Sequence, residues 1–151
     1  MKLPATIHNH LTNTVCFLFI ALFCYAATSK FLDFQTFKMQ LGQSPLLSPF
    51  AEWIAVLVPL TEFVIVVLLL FPKFRLYGLF ASFTLMMLFS GYIYVILNYS
   101  SFVPCSCGGI LEKMTWNQHL IFNSFFILLA ILGVIIYPTE YQPNSAQTIQ
   151  S

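Results

Sequence analysis

Two cysteines flanking a single serine, Cys105 and Cys107, are the residues of this chain best suited to chemistry. A C-x-C pair can close to a disulfide where the chain turns, although the small ring is strained. A strained, exposed disulfide exchanges readily with other thiols. Pro104 before the pair and Gly108–Gly109 after it supply turn geometry. Thr115 is placed to cap a helix beginning at Trp116, and the dipole of a nearby helix N-terminus favours thiolate. In that helix Trp116, His119 and Asn123 follow one another at helical spacing and share a face. His119 is suited to generating or stabilising a thiolate. Two other chemistries fit the same cysteines. One is a fixed structural bridge; the other is a Cu(I) site of two thiolates completed by His119 or Met114. Trp116 and His119 also fit an interfacial anchor, and Asn123 fits an interhelical hydrogen-bonding residue better than a catalyst.

Glu62 is the second chemical candidate. It stands in an apolar run, about 16 Å from the start of that run at ~1.5 Å per residue. A carboxyl group at such depth in a membrane is costly and marks a functional or bundle-bonding position. Tyr94, on one helix face with Gly91 and Asn98, is the partner the spacing offers it. The alternatives for Glu62 are a structural hydrogen bond across the bundle, and a proton relay or quinone contact. Cys16 and Cys24, in the first apolar run, read as small hydrophobes.

These residues need a scaffold, and the composition defines it. The 151 residues are 59% hydrophobic and 7% charged, where a soluble domain carries about 25% charged residues. Such a chain cannot cover itself with a solvated skin, so most of its surface must face lipid. A net charge of +1 without basic clusters argues against nucleic acid as a partner. Four cysteines are too few for a disulfide-stapled scaffold. A membrane span takes roughly 20 apolar residues, and four stretches qualify, at about 13–32, 50–71, 76–97 and 116–137. The first exceeds the ~7–15-residue apolar stretch of a signal peptide. It is expected to remain as a span, although Ala26 and Ala27 offer small residues near a cleavage point. Lys30, near its end, is expected to run its stem along lipid and reach the headgroups.

The expected fold is an all-α integral membrane protein, one domain of four transmembrane helices over 13–137. A short N-terminal segment (1–12) precedes it and a polar tail (138–151) follows Pro138. Asp33–Pro49 reads equally as an amphipathic surface helix, with Phe34, Phe37 and Leu41 at helical spacing, and as a plain loop broken by Gly42, Pro45 and Pro49. PKFR at 72–75 permits only a tight hairpin between the second and third spans. Both termini then lie on one side, and both long loops, including the cysteine-bearing loop between the third and fourth spans, lie on the other. Lys and Arg divide equally between the sides, so the positive-inside rule decides nothing by count. The dense PKFR turn favours the cytoplasm, and a useful cysteine pair favours an oxidising compartment. The expectation is a bacterial inner-membrane protein with cytoplasmic termini and a periplasmic CSC loop.

The string PCSCGGILEKMTWNQHLIFN, with SKFLDFQTF, QSPLLSPFA and PLTE before it, resembles the MauE branch of the MauE/DoxX-like membrane proteins, and most closely the redox-associated versions from Bacteroidota. The likeness covers roughly residues 12–137 and implies a DoxX-like four-helix bundle associated with periplasmic thiol chemistry. It further implies that Cys105 and Cys107 form the redox pair and that a thioredoxin-like protein or a secreted client is the partner. Family members of methylamine-utilisation clusters are linked to maturation of a disulfide-rich dehydrogenase subunit, but nothing in this sequence points to methylamine itself. The broader DoxX group, some of it quinone-linked, implies a quinone acceptor, although no quinone motif is visible. The leading expectation is a membrane thiol–disulfide protein acting through Cys105 and Cys107 with His119 tuning the thiolate. Glu62, Tyr94, Trp116 and Asn123 are the candidates for binding a cofactor. The alternatives are a non-catalytic docking subunit with a CSC staple, and a copper-handling membrane protein.

Overall fold

The structure is a computed structural model that describes residues 4–99 and 114–137. Cys105, Cys107 and the tail after Tyr137 lie outside the described residues. All regular structure among the described residues is helical. The helices are α1 (Ala5–Leu32), α2 (Phe34–Gln43), α3 (Ala51–Leu70), α4 (Arg75–Tyr99) and α5 (Trp116–Ile135), with single 3₁₀ turns at Ser48–Phe50 and Pro72–Phe74. With those turns included, four helical stretches are long and apolar enough to cross a membrane: Ala5–Leu32, Ser48–Leu70, Pro72–Tyr99 and Trp116–Ile135. Lipid offers backbone groups no hydrogen bonds, so segments of this composition are stable there only with their amides paired internally. The protein is a multi-pass membrane protein folded as a four-span helical bundle.

Local chemistry explains where the helices stop. Ser44 and Phe71 are extended, with ψ of 125° and 117°. Each precedes a proline, whose ring disfavours the helical conformation of the residue before it. Thr115 caps α5 with a capping box: its hydroxyl accepts from the Gln118 amide at 3.3 Å, and the Gln118 side chain accepts from the Thr115 amide at 3.0 Å. Helix α1 begins well before the apolar run, because the polar turns from Ala5 to Asn13 continue the same hydrogen-bond ladder. Its end at Asp33 turns the chain directly into α2.

Helix α1 packs along α3, and α4 packs along α5. Their shared core contains Phe19, Phe23, Ile65, Leu69, Leu79 and Phe126. Phe19 and Phe126 meet edge to face at 5.3 Å, the arrangement the ring quadrupoles favour. Helix α2 lies against the start of α3, with Phe37 and Leu41 buried on Ala51 and Ala55. The stretch from Asp33 is therefore a docked amphipathic helix rather than a plain loop. The remaining large apolar side chains, Phe17, Leu88, Ile121 and Ile135 among them, point outward, as a lipid-facing surface requires. Cys16 is buried in the core and Cys24 packs against it; both are free thiols.

Candidate functional site

Three buried stripes converge toward the end of the bundle where α2 sits. On α1 the stripe runs Phe19, Phe23, Ala26; four residues further, one helical turn, comes Lys30. On α3 it runs Ala55, Pro59, Glu62, Ile65 and Leu69. On α5 it runs Asn123, Phe126, Ala130 and Gly133, with His119 and Trp116 continuing it upward, half-buried. The α1 and α5 stripes turn polar toward this end, at Lys30 and at Asn123 and His119, while α3 contributes Glu62 from its middle.

The polar residues meet. The Lys30 ammonium donates to both oxygens of Glu62, at 2.9 and 3.2 Å, and to the Ala26 carbonyl at 3.3 Å. It also lies 5.8 Å from the Phe37 ring centroid and 5.9 Å from that of Phe89, within reach of cation–π attraction. Glu62 is 1% exposed and Lys30 16%. This corrects the expectation for Lys30, which turns inward instead of reaching for the headgroups. Its phase on α1 aims it at the bundle, and a buried carboxylate there compensates its charge. It also corrects the expected partner of Glu62. Tyr94 is 54% exposed and faces outward with Gly91 and Asn98. The sequence grouped these three on one face, and that face is the outer one. Two residues earlier, Tyr92 faces the site instead.

The ion pair borders a cavity of about 340 Å³, lined also by His119, Asn123, Trp116 and Tyr92 among mainly apolar side chains. The Trp116 and His119 rings stack with centroids 6.5 Å apart and planes 20° from parallel. Asn123 is 2% exposed, and its Nδ2 has no hydrogen-bond partner. Of the residues singled out in sequence, the structure thus brings Glu62, Trp116, His119 and Asn123 to one cavity and leaves Tyr94 outside it; Cys105 and Cys107 lie outside the described residues. Lys30 is the site residue that sequence reasoning missed, and its four-residue step from Ala26 was the available signal. Among the described residues no three His, Cys, Asp or Glu side chains converge as metal ligands.

A bundle of four apolar spans holding a buried Lys–Glu pair beside a cavity defines an integral membrane protein with a polar site inside its helical scaffold. The family profile described as methylamine utilisation protein MauE matches residues 8–136, and the chain belongs to the MauE family. No curated protein and no solved structure matches it.

Proposed function

We propose that this protein is an inner-membrane thiol–disulfide redox component that supports disulfide formation or maturation in periplasmic clients through Cys105 and Cys107. One observation carries the reading. Four polar groups, Lys30, Glu62, His119 and Asn123, line one cavity, and it lies toward the end where α4 finishes at Tyr99 and α5 starts at Trp116. The segment joining those two helices carries the cysteine pair. His119, one turn into α5, is on the side of the bundle from which that segment departs, suited to favouring a thiolate.

In the proposed cycle the Cys105–Cys107 disulfide is attacked by a client thiolate, and the mixed disulfide resolves on the client's second thiol. The client dithiol loses two electrons and two protons, and the CSC pair gains them. A thioredoxin-like protein or a secreted protein with paired cysteines is the exchange partner. The periplasmic placement of the CSC segment and the cytoplasmic placement of both termini belong to this proposal, because exchange requires an oxidising compartment.

The test is labelling of Cys105 and Cys107 in intact cells with a membrane-impermeant maleimide, before and after mild reduction. Labelling that appears only after reduction and without breaking the membrane is expected. Labelling that requires membrane rupture overturns the orientation. A pair that resists mild dithiol and tolerates replacement of both cysteines by serine, with client disulfides intact, overturns the exchange function in favour of a fixed staple.

A further inference from the structure

We propose that the cavity between Asn123, His119 and the Lys30–Glu62 pair binds an uncharged, lipid-soluble ring compound bearing a carbonyl acceptor, the chemistry of a quinone head group. The first reason is the Asn123 amide. It lines the cavity, is 2% exposed and has an unpartnered Nδ2. Burying a donor without an acceptor costs about 1–3 kcal/mol. A carbonyl oxygen placed in the cavity supplies what this amide lacks.

The second reason is charge. Among the described residues lining the cavity, Lys30 and Glu62 are the charged groups besides the titratable His119, and they neutralise each other at 2.9 Å. An anionic or cationic ligand would meet a partner already taken, so the cavity suits an uncharged one. The third reason is shape and access. Phe23, Phe89 and Phe122 contribute rings to the wall, and about 340 Å³ falls within the usual ~300–1,000 Å³ of small-molecule sites. Leu88 and Tyr25 line the cavity and also lie on the exposed flank of the bundle. In a protein whose flank faces lipid, that opening admits a ligand dissolved in the membrane. A phospholipid acyl chain would fill the same walls but leave Asn123 unsatisfied.

The ligand's role as electron acceptor rests on the thiol–disulfide reading; its binding does not. Two-electron reduction of such a ring to the hydroquinone takes up two protons, matching the two electrons and two protons released when a dithiol closes to a disulfide. Asn123 and His119 hold the ring oxygen, and the Lys30–Glu62 pair fixes the floor beneath it.

The test uses the full chain in phosphatidylcholine nanodiscs, titrated with a short-chain naphthoquinone and read by quenching of Trp116. The chain has two tryptophans, and the outward-facing Trp53 is replaced by phenylalanine throughout. Saturable quenching is expected, weakened at least tenfold by Asn123→Leu and several-fold by His119→Phe, and unchanged by Cys105→Ser with Cys107→Ser. Should Asn123→Leu fail to fold, His119→Phe, which keeps a ring against Trp116, decides the matter. Linear quenching that is equal in all variants shows mere partition into lipid and overturns the site. Binding that persists while thiol exchange is absent removes the proposed function and leaves the site standing. Exchange without saturable binding does the reverse.

Discussion

The two ends of the bundle are built on opposite plans. At the hairpin end the helices approach closely and the polar groups at the periphery are tied off, although the buried Thr12 hydroxyl has no partner. A Cβ on Gly78 would meet Leu69 Cδ2 at 2.8 Å, and one on Gly133 would meet Val15 Cγ1 at 2.9 Å; such close approach between spans is what small residues permit. Arg75 donates to Asn13 Oδ1 at 2.6 Å and to the Leu69 carbonyl at 3.1 Å, His8 Nδ1 donates to the Ile136 carbonyl at 3.2 Å, and the Tyr137 hydroxyl donates to the Pro72 carbonyl at 3.2 Å. At the α2 end a Lys–Glu pair is buried, an amide is left unpartnered, and a cavity separates the helices. Hydrophobic side chains of similar volume would hold that end together at least as well, since buried ion pairs seldom stabilise more than good packing. The difference teaches that close helix approach is a feature of the hairpin end and that the α2 end keeps features a purely structural bundle would not need.

The sharpest way to break this comparison is at the ion pair. Lys30→Met leaves the Glu62 carboxylate buried without its cation, a change that costs about 3–5 kcal/mol in buried pairs. Chemical unfolding in detergent measures it. The double variant Lys30→Met with Glu62→Leu removes both charges and is expected to return to wild-type stability or exceed it, by up to ~1–4 kcal/mol, while ligand binding and thiol exchange stay impaired. A double variant as unstable as the single one would show the pair to be a structural strut, and the contrast between the ends would fail.

Glycines on one helix supply the next contrast. Gly78→Ala, at the hairpin end of α4, forces Leu69 aside and is expected to lower stability by about 1–3 kcal/mol through overpacking. Gly91→Ala, nearer the other end of the same helix, meets nothing within 4 Å and is expected to raise stability by roughly 0.5–1 kcal/mol through reduced backbone entropy of the unfolded chain. Opposite signs for one substitution on one helix, read as thermal midpoints, sharpen the distinction. Because Gly91 lies on the outer face of α4, the pair separates a close helix contact from an open surface, and a stabilising Gly78→Ala would show the contact with Leu69 to be loose.

How much of this was legible in the sequence follows from which signal each feature left. The four spans were, because length and hydropathy report lipid burial directly. The common face of Trp116, His119 and Asn123 was, because their spacing is helical, and the structure turns that face inward with Asn123 and Ala130 buried. The phase of α4 was not: this helix is apolar nearly all round, so periodicity does not separate Tyr92, which lines the cavity, from Tyr94, which faces outward. Lys30 was read from its position near a span end, where lysines commonly snorkel, rather than from its step after Ala26. The early start of α1 left no hydropathy signal, since the turns before Asn13 are helical but polar. For the CSC pair the sequence remains the source of the reading, as Cys105 and Cys107 lie outside the described residues.

A smaller effect is expected where α5 begins. Thr115→Ala removes the hydroxyl that accepts from Gln118 and half of the capping box, at a cost of about 0.5–2 kcal/mol. Because the first turn of α5 presents Trp116 and His119 to the cavity, its fraying should weaken ligand binding at least as visibly as it lowers the thermal midpoint. Thr115→Ser, which keeps the acceptor, should restore both.

The smallest effect is expected at the second Lys–Glu pair, and it isolates what burial does. Lys38 and Glu52 join α2 to α3 at 2.6 Å, closer than Lys30 and Glu62, yet their side chains are 36% and 77% exposed. Exposed pairs are offset by solvation and side-chain entropy and are screened by salt. Glu52→Gln should therefore leave the thermal midpoint unchanged, at low and at high salt. Helix α2 is held instead by Phe37 and Leu41 against Ala51 and Ala55, and Phe37→Ala should loosen it where Glu52→Gln does not. If Glu52→Gln proved as damaging as Lys30→Met, α2 would be docked by charge rather than by packing. The buried pair would then lose its claim to a special role, since two Lys–Glu pairs of such different exposure would be doing the same work.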